Sequence, residues 1–164
     1  MVYREAFTVQ SNDKTTTFHD VTSAAQDIVG RSGIRNGIVV VYSHHTTCCV
    51  ITQEPAFDLS MTGLETLQQD FVDAMERIMP LTRREGMYLH PGPQALVFAA
   101  EHGENTREAH NTDAHLRSAL VGRSESIVLI DGKVDLGQFG RIYFIDFDQT
   151  RGRQRTVQVQ VLGE

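Results

Sequence analysis

Short runs rich in Val and Ile interrupt longer segments in which apolar residues recur on one helical face, and the two patterns divide the chain into strands and helices. Tyr3 to Gln10 and Thr15 to Phe18 predict two short strands around Ser11-Asn12-Asp13-Lys14, where Asn and Asp favour a turn, and together they predict an opening hairpin. Asp20 offers a helix cap. Val21, Ala24, Ala25, Ile28 and Val29 then share one face of a helix that Gly30 and Gly33 stop. From Gly37 the run Ile38-Val39-Val40-Val41-Tyr42 is apolar, β-branched and too short for a buried helix, which predicts a central strand ending in His44-His45-Thr46-Thr47. Beyond Val50-Ile51-Thr52, the spacing of Leu64, Leu67, Phe71, Met75, Ile78 and Met79 predicts the longest helix, closed by Pro80.

Between Pro80 and Asn111 the pattern weakens. Gly92 lies between two prolines, Leu96 to Ala100 is apolar and Glu101 to His110 is polar, which predicts one strand flanked by two loops. Asn111 is a good cap for a third helix reaching about Val121, with Gly122 as its stop. The closing third predicts strands over Ser126 to Ile130, Gly140 to Phe147 and Arg155 to Leu162, joined by the turn Asp131-Gly132-Lys133 and by a charged turn. In the last strand Val157, Val159 and Val161 alternate with Gln158 and Gln160, so one face is buried and the other wet, as in an antiparallel sheet. Helices scattered among such strands predict an α+β fold, largely antiparallel sheets packed with about three helices.

At 164 residues and 40% hydrophobic composition, without a break in patterning, the chain is expected to form a single domain over residues 1–164. No stretch approaches the ~18 consecutive apolar residues of a membrane span. Met1-Val2-Tyr3-Arg4-Glu5 also lacks the basic-then-apolar order of a leader, so a cytoplasmic protein with no membrane partner is expected. Cys48 and Cys49 are adjacent, point to opposite faces of a strand and cannot bridge one another. A net charge of -6 argues against a nucleic-acid partner, since phosphate backbones are held by clustered Lys and Arg. The one basic cluster, Arg151-Gly152-Arg153-Gln154-Arg155, is read first as a solvated hairpin tip beside a strand carrying Arg141, and second as an anion site.

Seven histidines invite a metal reading, but position has to decide among them. His45 stands at a strand end, where sites are built. On a strand His44 and His45 would face opposite ways, so at most one serves a site. The hydroxyls of Thr46 and Thr47 can fix an imidazole tautomer or bind an anion, or they reflect β-propensity alone. His90 follows Tyr88 at a loop entrance, and His115 lies one turn into the third helix. Three neutral imidazoles from three segments can supply the protein ligands of an open metal site, although no short-range spacing ties any pair together. Glu54 is a candidate general base or ligand. Asp70 reads as solvated, and Asp113 as a first-turn acid favoured by the helix dipole. Burial would leave Cys48 and Cys49 inert.

Taken in order, His45-Thr-Thr, Gln53-Glu54, Asp70-Phe71 with Pro80 ten residues on, Tyr88-x-His90, Asn111-Thr-Asp-Ala-His115-Leu, Gly122-x-Ser124 and Gly132 followed by Leu136-Gly137 resemble the YjbQ family. The resemblance runs from about Gly37 to the end. It implies a compact α+β subunit forming a homotrimer, with sites near subunit contacts and secondary thiamine-phosphate synthase activity on small phosphorylated metabolites. His45, His90 and His115 match histidines that cluster in the family with metal or anions, and Glu54 matches its acidic partner. In that reading a divalent cation, zinc or magnesium, sits on His45, His90 and His115. Glu54, His45 and His115 are catalytic, and Thr46, Thr47, Asn111, Arg153 and Arg155 bind substrate. The alternatives are a metal-dependent hydrolase of a phosphorylated metabolite, with Glu54 as base, and a trimeric binding module without turnover. This chain departs from the family in longer stretches between Glu54 and Asp70 and between His90 and His115. Phe139-Gly140 also stands where a Trp-Gln pair is usual, and the acidic pair near the end reads Asp146 and Asp148.

Overall fold

The computed structural model describes residues 1–164. In chain order its elements are β1 (Val2–Gln10), β2 (Thr17–Asp20), α1 (Thr22–Ser32), β3 (Gly37–Tyr42), β4 (Cys48–Gln53), α2 (Thr66–Ile78), α3 (Pro93–Glu101), the single turn α4 (Thr106–Ala109), α5 (Thr112–Val121), β5 (Ser124–Ile130), β6 (Lys133–Val134), β7 (Arg141–Asp146) and β8 (Gln154–Gly163). The strands form two antiparallel sheets, one of five in the order β1-β8-β3-β5-β6 and one of three in the order β2-β7-β4. The fold is α+β.

Strand alternation dictates how these layers stack. On β7, Ile142 and Phe144 enter a core shared with Val39 and Val41 of β3, Val157, Val159 and Val161 of β8, and the inner face of α1. Tyr143, Ile145 and the following Phe147 turn the other way, onto a second core with Met75 of α2 and Ala114 of α5. The three-stranded sheet is therefore buried on both sides, which is why Ile142 to Ile145 is apolar without alternation. Cys48 and Cys49 follow the same rule and fall into different cores.

Local chemistry sets the helix ends. Asp20 Oδ1 accepts the Thr22 N–H at 2.9 Å at the start of α1, and Gly33, in the left-handed region at φ 69°, ends it. Glu65 and Gln68 form a reciprocal capping box at the start of α2.

Three expectations fail for identifiable reasons. Leu96 to Ala100 is part of helix α3, because Pro93 at the first turn preorganises a helix and the Ala-rich run continues it. β1 and β2 do not form a hairpin: β1 pairs with β8 and β2 with β7, in different sheets. Nor are β7 and β8 neighbours, since the charged segment between them carries the chain from one sheet to the other. That crossing sets the arginines of the last turn into the protein instead of at a solvated tip.

Candidate functional site

The site forms where β3 and β8 part. Their ladder ends at the pair Tyr42–Gln158, after which β8 continues beside β1 alone. Ser43, fully buried, turns the chain, and its hydroxyl accepts the His45 N–H at 3.1 Å. His45 then folds back so that its Nε2 accepts the Thr156 backbone N–H at 2.9 Å. An imidazole accepting at Nε2 carries its proton on Nδ1 when neutral. Burial, reinforced by the Arg155 guanidinium and by His44, pushes the His45 pKa down to about 4. His45 is therefore a neutral ring of fixed tautomer. His44 does not face the opposite way as a strand residue would. The backbone has left the strand conformation, and the two rings lie 4.2 Å apart.

A second histidine pair closes the other wall. His115, one turn into α5, is bonded to the Thr46 backbone, and burial followed by the charge of His90 lowers its pKa. His90 lies across from it, with ring centroids 5.8 Å apart and nearly perpendicular. The Thr112 hydroxyl donates its only proton to the His90 carbonyl at 2.7 Å, so it can only accept from His90 Nδ1, 3.0 Å away. Between the pairs lies a cavity of about 390 Å³, also lined by Thr46, Thr47, Asn111, Glu104, Arg153 and Arg155.

Behind the cavity is a buried charge network. Arg155, with a side chain 5% exposed, donates from Nε to Asp146 Oδ2 at 2.6 Å and from Nη2 to Thr47 Oγ1 at 3.0 Å. Asp148, fully buried, accepts from Asn111 Nδ2 at 3.1 Å and from the Thr150 hydroxyl and backbone N–H, and lies 3.5 Å from Arg153 Nη2. The Asn111 side chain therefore braces the network and does not cap α5. Arg153 borders the cavity, but its buried Nε–H has no hydrogen-bond partner in the protein.

His45, His90, His115, Thr46, Thr47, Asn111, Arg153 and Arg155 thus line one cavity, as a site built from them requires. Glu54 does not join them. It is exposed just past the end of β4 farthest from Thr47, about 20 Å along a strand of this length. There it borders a separate depression with Glu125 and Asp135. Within one chain Glu54 therefore lies apart from the histidine cavity. Asp70 is exposed, and Asp113 is buried and accepts both the backbone N–H and the hydroxyl of Thr82.

The three histidines line the cavity without closing on a point. No group of three His, Cys, Asp or Glu side chains is placed to hold a metal ion, and His45 already commits Nε2 to Thr156. As arranged, this donor set does not fit a three-histidine metal centre. What it offers is the imidazoles of His45 and His115, whose pKa values are lowered, the Arg153 guanidinium, and amide and hydroxyl groups, suited to hydrogen-bonding an anion.

Sequence reasoning passed over Asp146 and Asp148 as members of this network, and did not single out Glu104. The first two were detectable, since a carboxylate at the end of an uninterrupted apolar strand must be paired once buried. Glu104 sits in a polar stretch with no periodicity and gave no signal.

Residues 5–164 match the family model described as UPF0047 protein YjbQ-like. A UPF0047 protein of Methanothermobacter thermautotrophicus is 30% identical over 145 residues, covering 88% of this chain and 82% of that protein. One from Archaeoglobus fulgidus is 31% identical over 120 residues, 73% of this chain and 75% of its own length. Among solved structures, an uncharacterised conserved protein of the YjbQ/UPF0047 family from Clostridium acetobutylicum superposes with a TM-score of 0.72 at 27% identity, covering 96% of this chain and 99% of that one. A match over all but the first four residues, with the same fold in a relative, makes this chain a member of the YjbQ (UPF0047) family.

Proposed function

We propose that the histidine cavity binds the phosphate of a small phosphorylated metabolite, and that the protein is a cytoplasmic transferase of the secondary thiamine-phosphate synthase type. The observation that carries the binding step is Arg153. It lines the cavity, and its Nη2 comes no closer than 3.5 Å to Asp148 and 3.8 Å to Glu104, so its guanidinium has donors for a phosphate oxygen, the acceptor it matches best. His45, held as the Nδ1–H tautomer, adds a neutral donor whose state does not change near neutral pH.

In the synthase reaction the thiazole nitrogen attacks the pyrimidine methylene. The bond from that carbon to the diphosphate oxygen breaks, and its electron pair leaves with pyrophosphate. Such a step needs stabilisation of the departing charge more than it needs a protein nucleophile. Arg153, Arg155 and the Nδ1–H of His45 are groups of that kind. Cys48 and Cys49 are buried, and burial raises both thiols, so neither is suited to nucleophilic attack. A homotrimer belongs to the same proposal. The outer face of the five-stranded sheet carries Val2, Leu162, Ile38 and Val128 in one cross-strand row, three of them exposed, an apolar patch that a second copy would cover.

Titration calorimetry with inorganic phosphate and pyrophosphate tests the binding step. Arg153→Met is expected to weaken binding by about tenfold or more. Equal affinity in wild type and variant would remove the cavity as the phosphate site. Mass spectrometry of reactions containing both synthase substrates then separates a coupled product from hydrolysis or from no turnover.

A further inference from the structure

The α3–α4 segment closes one side of the cavity and is fastened mainly by charge. Its buried apolar side chains are Ala99 and Ala109, while Val97 and Phe98 are exposed. Glu108 accepts from Arg151 Nη1 at 3.0 Å and is aimed by its capping box with Asn105. Glu104 pairs with Arg151 and comes within 3.8 Å of Arg153 Nη2. Of these two acids only Glu104 lines the histidine cavity, alongside Arg153. A carboxylate of the protein thus stands beside the guanidinium that an anionic ligand would engage.

We propose that Glu104 is a built-in competitor for the Arg153 subsite, which makes the cavity selective for phosphate dianions over carboxylates. The inference rests on the phosphate-binding reading. A tethered carboxylate acts at an effective concentration in the millimolar range or above. A free carboxylate brings the same charge and the same pair of oxygens, so it gains nothing by displacing Glu104. A phosphate brings up to one more negative charge and a third acceptor oxygen, and can complete the donors of Arg153 while Glu104 stays on Arg151.

The test is calorimetric titration of the full chain with inorganic phosphate and, separately, with acetate. Wild type is expected to bind phosphate and not acetate. Glu104→Gln, which keeps the shape and removes the charge, is expected to bind phosphate about tenfold more tightly and to gain measurable acetate binding. Glu104→Ala should shift both in the same direction, which covers a folding defect in the first variant. Glu101→Gln, exposed on α3 and outside the cavity lining, should leave phosphate affinity within about twofold. Unchanged or weaker phosphate binding by both Glu104 variants, or acetate binding by wild type equal to that of phosphate, would overturn the competitor while leaving the phosphate site standing. Absence of phosphate binding in wild type and variants alike would instead remove the phosphate-binding reading, and this inference with it.

Discussion

The imidazole Nε2 of His45 accepts the backbone N–H of Thr156 at 2.9 Å across 111 residues of chain. The β3–β8 ladder has just ended at Tyr42–Gln158, and the ring takes the place of the strand carbonyl that would have come next. One side chain thereby satisfies an edge amide of the larger sheet and contributes a wall of the cavity, so its protonation state matters to both fold and site.

Stability should depend on pH through this residue. The folded pKa of about 4 lies below the ordinary value near 6.5, so the folded state holds the ring neutral. The contribution of His45 is then complete above pH 6.5, declines as the unfolded chain takes up its proton below that, and is lost once pH falls through about 4. Urea midpoints measured from pH 7 to pH 4 should fall in wild type and fall less steeply in His45→Gln. An imidazole resonance of His45 titrating near 6.5 by NMR would contradict the half-buried, neutral ring.

Removing one partner of the Asp146–Arg155 pair should be costly. Asp146→Asn leaves the guanidinium, 5% exposed, against a neutral amide, and loss of a buried partner costs about 3–5 kcal/mol. Chemical denaturation of Asp146→Asn, of Arg155→Met and of the double variant Asp146→Asn/Arg155→Met checks this. The double variant should be more stable than the sum of the single losses predicts, because neither charge is then left alone.

Phosphate binding should not require a metal. Protein treated with a chelator and dialysed is expected to bind phosphate with the affinity of untreated protein, since no three ligand side chains converge. Binding that disappears with the chelator and returns with zinc would show that His45, His90 and His115 close around an ion when one is supplied.

The two thiols should be silent in the native state. Cys48 and Cys49 are buried in different cores with raised thiol pKa values, so a thiol reagent at pH 8 is expected to label neither until denaturant is added. Rapid native labelling of either would mean that the core around β4 opens readily.

The sequence by itself determined the elements whose periodicity is local. Ile38 to Tyr42 predicted a central strand, the Leu64 to Met79 spacing an amphipathic helix, and Val157 to Val161 a strand with one dry face; each stands in the structure, with only Val39 and Val41 of the first fully buried. It also marked Arg153 and Arg155 among the site residues without showing that they turn inward. Which strands pair was decided by tertiary structure, because β1 against β8 and β2 against β7 are contacts between chain ends that no short pattern encodes. The site depends on the same long-range choices. His45 meets Thr156, and Asn111 meets Asp148, because the segment between β7 and β8 crosses from one sheet to the other. Glu54, nine residues after His45 in sequence, is carried away from it because an extended strand advances about 3.3 Å with every residue.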